Sequence, residues 1–364
     1  MCPKAHKKKM RIGLILTPFK EDQIQKQEYV KVKYRDWLND IKTNETIMIR
    51  NKKFVTDDLS ILYYLRDKYG KQHTFVKIQG NDKNLMEKIK SCDIVFTIIF
   101  DLLEAFHVLP SYEFSKIKKA FQSPNVYPPY QYQFLINNKN EYYQYLEDNG
   151  INVLPFLYIS SKKFKTNRKK CIREILGMKR GDENKFIGKP IYGQESIDFQ
   201  IFKAHVQEHT IEKYLERITN IYTGCIFQPY LKNFDKIGEY RMFYIGNKQS
   251  YCINTKDVQG VGSEKTISLR DPAFQKLRDF AQNVFDHLPK FLNHKVEISK
   301  LLTRIDIACC LKRNEYFVSE IEFVPSLYLD TVDHLFIDKK LAEQMMRIVE
   351  EIPPKTKVKL KMKL

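Results

Sequence analysis

The stretch RIDIACCLKRNEYFVSEIEF, residues 304–323, holds three carboxylates whose spacing could organise a metal ion. Two alternating runs flank a polar LKRN segment, which predicts a β-hairpin. Glu320 and Glu322 then project from the same face of their strand. With the turn centred near Arg313, Asp306 falls opposite Glu320, because both are equally distant from it. Side chains opposed in an antiparallel pair lie about 5 Å apart, and like charges there are destabilising. A divalent cation such as Mg²⁺ or Mn²⁺ relieves that repulsion, since it takes a few carboxylates together with phosphate oxygens. The alternative is a solvated outer face on which three acids align without a ligand.

A second candidate lies upstream. FIGKPIYGQES, residues 186–196, puts Lys189 at a strand end before a turn holding Gly193 and Ser196. There a lysine can meet phosphate while backbone N–H groups cradle it. Lysines at strand ends are also commonly just solvated. Taken in order, a helix-opening Lys139 in NNKNEYYQYLEDNGINVLP, Lys189 with its loop, QPYL at 228–231, and RID followed by EIE resemble the ATP-grasp superfamily over roughly residues 125–350. Within it the pattern is similar to the carboxylate–amine ligases, namely D-alanine–D-alanine ligase, glutathione synthetase and the ribosomal-protein glutamate ligase.

That resemblance implies ATP held between two subdomains by one lysine from each, Lys139 and Lys189, with Gly193 and Ser196 in the phosphate loop. Gln228 stands where the adenine amine is received, and the Leu231 backbone where the ring is bonded. Asp235 and Glu239 compete for the ribose. Arg304 matches an arginine beside the reacting phosphoryl and tetrahedral centre, where a guanidinium fork suits the developing charge. Arg241, in GEYRMF, is similar to a second arginine on a neighbouring strand, and reads equally as an ordinary strand-face residue. Asp306, Glu320 and Glu322 match the magnesium ligands. Glu322 departs from the commoner asparagine, Ser326 stands where many ligases have glycine, and the phosphate loop is glycine-poor. The implied activity is an ATP-dependent ligase that joins a carboxylate, on a small molecule or an acidic peptide, to an amine acceptor through an acyl phosphate. An ATP-grasp kinase, for example of inositol phosphates, and a nucleotide-binding protein without turnover are the alternatives.

The elements that must position these residues follow from periodicity. RIGLILTP reads as a buried strand, 54–70 as a helix, HTFVKIQG as a strand, NDKNLMEKIKSC as a helix and DIVFTIIF as another buried strand. Strands alternating with helices predict an open α/β sheet over residues 1–122. Three prolines in SPNVYPPYQ, residues 123–131, mark a boundary. Beyond it NKNEYYQYLEDNG is an amphipathic helix ended by Gly150, INVLPFLYIS a strand, and 161–184 a charged stretch. CIFQPYL, EYRMFYIG and KQSYCINT then read as β runs, with helices at 272–288 and 335–350 to cover one face of their sheet. The expected fold is thus α/β and α+β: an ATP-grasp fold with an N-terminal open α/β domain. Its small subdomain is expected at 123–190, and its large one, with an antiparallel sheet and the metal site, at 191–364.

Composition sets the outer limits. At 364 residues and 43% hydrophobic content the chain can bury more than one core. Its most apolar window, 92–109, is interrupted by Asp93, Asp101, Glu104 and His107, short of the roughly 20 apolar residues a membrane span needs. The basic N-terminus resembles a signal peptide, but its apolar run is short and Pro18 follows. Seven scattered cysteines without a CxxC pair point to a reducing, cytoplasmic setting. Of the net charge of +18, ten positive charges lie in the two termini, at Lys4, Lys7, Lys8, Lys9 and Arg11 and at alternate residues from Lys355 to Lys363. The moderately basic body suits an acidic substrate or a nucleotide, and no nucleic-acid-binding motif accompanies it. The C-terminal KVKLKMKL alternates as a half-buried edge strand would, with lysines discouraging further pairing.

Overall fold

A run of branched apolar residues without polar alternation belongs in a sheet covered on both faces, and RIGLIL takes that place. In the computed structural model, which describes residues 9–16, 29–98, 111–192, 198–203, 205–258, 261–310, 315–353 and 357–364, Arg11–Leu16 is an inner strand of a parallel sheet. The order is Thr74–Gln79, Arg11–Leu16, Ile94–Thr97, Val126–Tyr127. Helix Asp57–Tyr69 packs beside it and against helix Ile337–Glu351, joining the two ends of the chain.

That joint is sealed by charge. Arg35 and Asp338, both fully buried, share two hydrogen bonds of 3.1 and 3.3 Å, while Asp333 lies 2.6 Å from the same guanidinium. Ser60 donates to Asp338 at 2.6 Å, and Trp37 Nε1 donates to Ser60 Oγ at 3.1 Å. Removing one partner of a buried pair strands the other charge, at a cost of about 3–5 kcal/mol. Asp338→Ala is therefore expected to lower the unfolding free energy by that much. A loss below about 1 kcal/mol in urea titration would show that Asp333 and water suffice for Arg35.

The second sheet is antiparallel, in the order Gln200–Phe202, Phe186–Pro190, Gly224–Pro229, Leu157–Ser160. Its hydrogen bonds continue past residue 190, so the strand bearing Lys189 and the strand bearing Gln228 share one sheet across the division expected there. Aromatic packing unites them, with Phe186 stacked on Phe202 at 4.7 Å and both rings near Phe227. Gly188 is needed for that closeness, because a Cβ there would lie 2.9 Å from the rings of Phe227 and Tyr214. The charged stretch after Ser160 is helical, as Ser161–Thr166 and Arg168–Gly177, and turns Phe164, Cys171, Ile172 and Ile175 inward.

The third sheet runs Val261–Ile267, Lys248–Val258, Glu239–Ile245, Leu302–Cys310, Glu315–Glu322, antiparallel throughout. Helices Gln275–His287 and Ile337–Glu351 pack against it. At the C-terminus Leu360–Lys363 pairs with Lys290–Asn293 at the edge of a three-stranded sheet. Val358 and Leu360 are buried there while Lys359 and Lys361 stay exposed. No helix among the described residues is long and apolar enough to cross a membrane.

Candidate functional site

The opening hairpin forms, and Asp306 pairs with Glu320 and Arg304 with Glu322. Counting from the turn gives this pairing only because of a bulge. The outer pairs, Cys310–Glu315 to Ile307–Val318, are centred half a residue off, and without an extra residue Asp306 would face Ser319. Ser319 is that residue. It breaks the two-residue alternation, so that Val318 and Ile321 both reach the core while Glu320 and Glu322 share the opposite face with Asp306. On the other side Arg241 opposes Asp306. Arg241, Asp306 and Glu320 thus form a row across three strands, and Phe243, Arg304 and Glu322 form the next.

Cations meet these acids at short range. The Arg304 fork donates to both oxygens of Asp306 at 2.7 and 2.8 Å and to Glu322 at 2.5 Å. Lys139 Nζ lies 2.8 Å from Glu320. Its helix, Lys139–Asp148, begins there because Asn138 caps it, accepting from the backbone N–H of Asn140 and Glu141. The Lys139 N–H donates to the Ile191 carbonyl at 2.9 Å, which ties this helix to the end of the strand bearing Lys189. One turn on, Tyr143 shares the face of Lys139. Lys189 donates to its hydroxyl at 3.1 Å, and the hydroxyl donates in turn to the carbonyl of bulged Ser319. Tyr143 therefore links helix, small sheet and hairpin. Sequence reasoning missed it; its position four residues after Lys139 was the available signal.

The other expected residues divide. Arg241 donates to Thr255 at 3.1 Å and to the Tyr328 hydroxyl, and stands 3.3 Å from Glu239 and 4.0 Å from Asp306. Glu239 also meets the Ser319 hydroxyl, which lies 3.0 Å from the Asp306 carbonyl. It is thereby a fourth carboxylate beside the three. Gln228 is buried, opposes Ile187 and donates to the Leu154 carbonyl at 3.3 Å, on the sheet face that Lys189 shares. Leu231 follows that strand. Gly193, Ser196 and the side chain of Asp235 lie outside the described residues.

Burial and crowding set the charges. Burial pushes Glu322 up to about 8, with Glu320 and Asp306 adding to it against Arg304. Glu239 is pushed up to about 7 by burial and by Asp306. Desolvation acts against the charge on half-buried Glu320 too, but Lys139 and Lys189 hold it below the usual carboxylate range. Carboxylate oxygens of Asp306, Glu320 and Glu322 lie within 4.8 Å of one another. A hard oxygen set this close, with an acid forced upward, fits Mg²⁺ or Mn²⁺.

A pH dependence follows. Between the ordinary value near 4.5 and the raised values near 7 and 8, the folded state binds more protons than the unfolded one at Glu239 and Glu322. Stability must then fall as pH rises through that window. The metal-free protein is expected to lose several degrees of Tm between about pH 5 and 7.5, and millimolar Mg²⁺ is expected to shrink the loss. Thermal melts with a flat or rising profile would count against this crowding.

No family model and no curated protein matches the chain. Solved structures do match. D-cycloserine synthetase DcsG superposes with a TM-score of 0.61 at 14% identity, over 93% of this chain and 99% of that one. D-alanyl-alanine synthetase A from Vibrio cholerae gives 0.59 at 10% identity, over 94% and 99%. D-alanine–D-alanine ligase from Bacillus anthracis complexed with ATP gives 0.56 at 16% identity, over 93% and 97%. A RimK-domain ATP-grasp protein from Sphaerobacter thermophilus is also similar, at a TM-score of 0.52 and 9% identity, over 92% and 98%. The fold of this chain is the ATP-grasp fold of those ligases.

Proposed function

We propose that this chain is an ATP-dependent ligase that activates a carboxylate as an acyl phosphate and passes the acyl group to an amine. The observation that carries the reading is the convergence of Lys139, Lys189 and Arg304, from three separate elements, on the carboxylates of one hairpin face. Lys189 and Lys139 would bind the nucleotide phosphates, and Gln228 with Leu231 the adenine. Asp306, Glu320 and Glu322 would hold Mg²⁺ or Mn²⁺, which supplies neutralisation of phosphoryl charge when bound. Arg304 would face the transferring phosphoryl and the tetrahedral adduct with donors already fixed in place, so that little reorganisation is needed as charge develops. Closure of the two sheets over the site would keep water from the acyl phosphate.

The test is purified protein with ATP, Mg²⁺ and a panel of amino acids and short acidic peptides. Substrate-dependent ADP together with a new amide by mass spectrometry is expected, and hydroxylamine should trap the activated acyl group. ADP with a phosphorylated alcohol would instead indicate a kinase, and ATP binding without ADP a protein that binds without turnover. Lys189→Met, which keeps length and loses charge, is expected to weaken ATP binding roughly 10- to 100-fold, the range for a charged hydrogen bond. Unchanged affinity in calorimetric titration would remove Lys189 from the phosphate site.

A further inference from the structure

Tyr143 is fully buried where the helix Lys139–Asp148, the small sheet and the carboxylate hairpin meet. Chemistry fixes the direction of its two hydrogen bonds. An ammonium can only donate and a carbonyl can only accept, so the phenol gives its proton to Ser319 at 2.5 Å and turns a lone pair to Lys189 at 3.1 Å. The Lys189 ammonium also lies 5.5 Å from the centre of the Tyr143 ring. Tyr142, edge-on at 4.6 Å, and Phe156, tilted at 5.4 Å, fix that ring in place.

The Ser319 end of this chain of bonds bears on the metal ligands. Ser319 is the extra residue of the bulge that turns Glu320 onto the face of Asp306. Its hydroxyl meets Glu239 and lies 3.0 Å from the Asp306 carbonyl. Glu320 is itself tied at 2.8 Å to Lys139, one helical turn before Tyr143. Both lysines thus take their positions from one helix, Lys139 directly and Lys189 through the Tyr143 hydroxyl.

We propose that Tyr143 is a positioning residue that couples the lysine of the small sheet to the metal hairpin, setting Lys189 through its hydroxyl oxygen and Glu320 through the bulge carbonyl. The proposal rests on the reading that Lys189 binds nucleotide phosphate and Glu320 the cation. A lysine is a point charge on a flexible four-carbon stem. A fixed acceptor holds that stem beforehand, so less freedom is lost when phosphate binds. A tyrosine that merely braces the helix needs one acceptor and no cation. Tyr145, two residues on, is of that kind, its hydroxyl donating to the His287 carbonyl at 2.6 Å.

The test is a double-mutant cycle of nucleotide affinities, read by calorimetry on the full chain with Mn²⁺ and a non-hydrolysable ATP analogue. Phenylalanine keeps the ring and removes the hydroxyl. Tyr143→Phe is expected to weaken binding roughly three- to tenfold, the range for one net hydrogen bond, but less than about twofold where Lys189 is already methionine. Tyr145→Phe is expected to lower Tm while changing affinity less than about twofold, because it removes a bond of the same kind away from the lysine. With Mn²⁺ alone, the rise in Tm should shrink in Tyr143→Phe, since the bulge carbonyl loses its donor. Equal losses with and without Lys189 would make Tyr143 a structural brace and overturn the proposal. So would a full Mn²⁺-dependent rise in Tm in Tyr143→Phe, or a loss of affinity in Lys189→Met with none in Tyr143→Phe. Unchanged affinity in Lys189→Met would overturn the phosphate-site reading and this proposal with it. Binding is measured, not turnover, so absence of ligase activity leaves the comparison decisive.

Discussion

Replacing Arg304 with lysine will lower turnover by roughly 10²–10³-fold, the range for losing one fixed donor at a developing oxyanion, and will change ATP affinity far less. The geometry sets this apart from a generic charge effect. Arg304 is buried, and its fork holds Asp306 through both oxygens and Glu322 through one. Burial disfavours its charge, yet these two carboxylates raise its pKa further above the ordinary guanidinium value. A lysine keeps the charge but is a point donor on a flexible stem and cannot span both acids in one plane. The carboxylates would still attract a cation, so the metal-bound nucleotide should persist while alignment at the reacting centre is lost. Measuring kcat, KM and ATP Kd separately decides the matter. Equal losses in turnover and affinity would recast Arg304 as a strut for Asp306 and Glu322.

What could be read beforehand was whatever repeats along one element. Strand alternation placed Glu320 and Glu322 on one face, and equal distance from Arg313 placed Asp306 opposite Glu320, yet that count succeeded through a bulge it did not contain. Ser319 carries no mark of a bulge, because whether a strand takes an extra residue depends on the core that Val318 and Ile321 must both reach. The helices after Ser160 were hidden for a related reason. With few apolar positions in 161–177, periodicity is weak, and only packing against Glu208–Ile221 and the aromatic sheet makes them amphipathic. Contacts between distant segments were illegible altogether. Arg35 meets Asp338 across about three hundred residues, and Tyr143 meets Lys189 and Ser319 only once three elements are assembled. The expected lysines did not need that assembly, since each sits at an element boundary that the sequence marks, Asn138 before the helix and Pro190 at the strand's end.

Changing Glu320 to glutamine is expected to abolish both metal-dependent stabilisation and ADP formation, the largest effect of any substitution in the site. Asp306, Glu320 and Glu322 could all reach one cation, but their resting partners differ. Glu320 is the acid held in its charged form, by Lys139 at 2.8 Å and by Lys189, whereas Glu322 is pushed up to about 8 by burial and by its neighbours. A cation therefore finds Glu320 already favoured in its charged form, while burial and its neighbours oppose the charge on Glu322. Glutamine at 320 removes that charge and leaves Lys139 facing an amide. The metal-free variant should accordingly be no more stable than the parent, although it has one acid fewer. Glu322→Asn should do the opposite: it removes the crowded acid, raises the metal-free Tm above pH 7, flattens the fall of stability with pH, and keeps measurable Mn²⁺ binding. Thermal melts with and without Mn²⁺ and ATP-analogue distinguish the two, because a ligand that binds only the folded state raises Tm by mass action. If Glu320→Gln retains the full metal-dependent rise in Tm, the cation is held elsewhere, and the hairpin acids serve only to position Arg304 and Lys139.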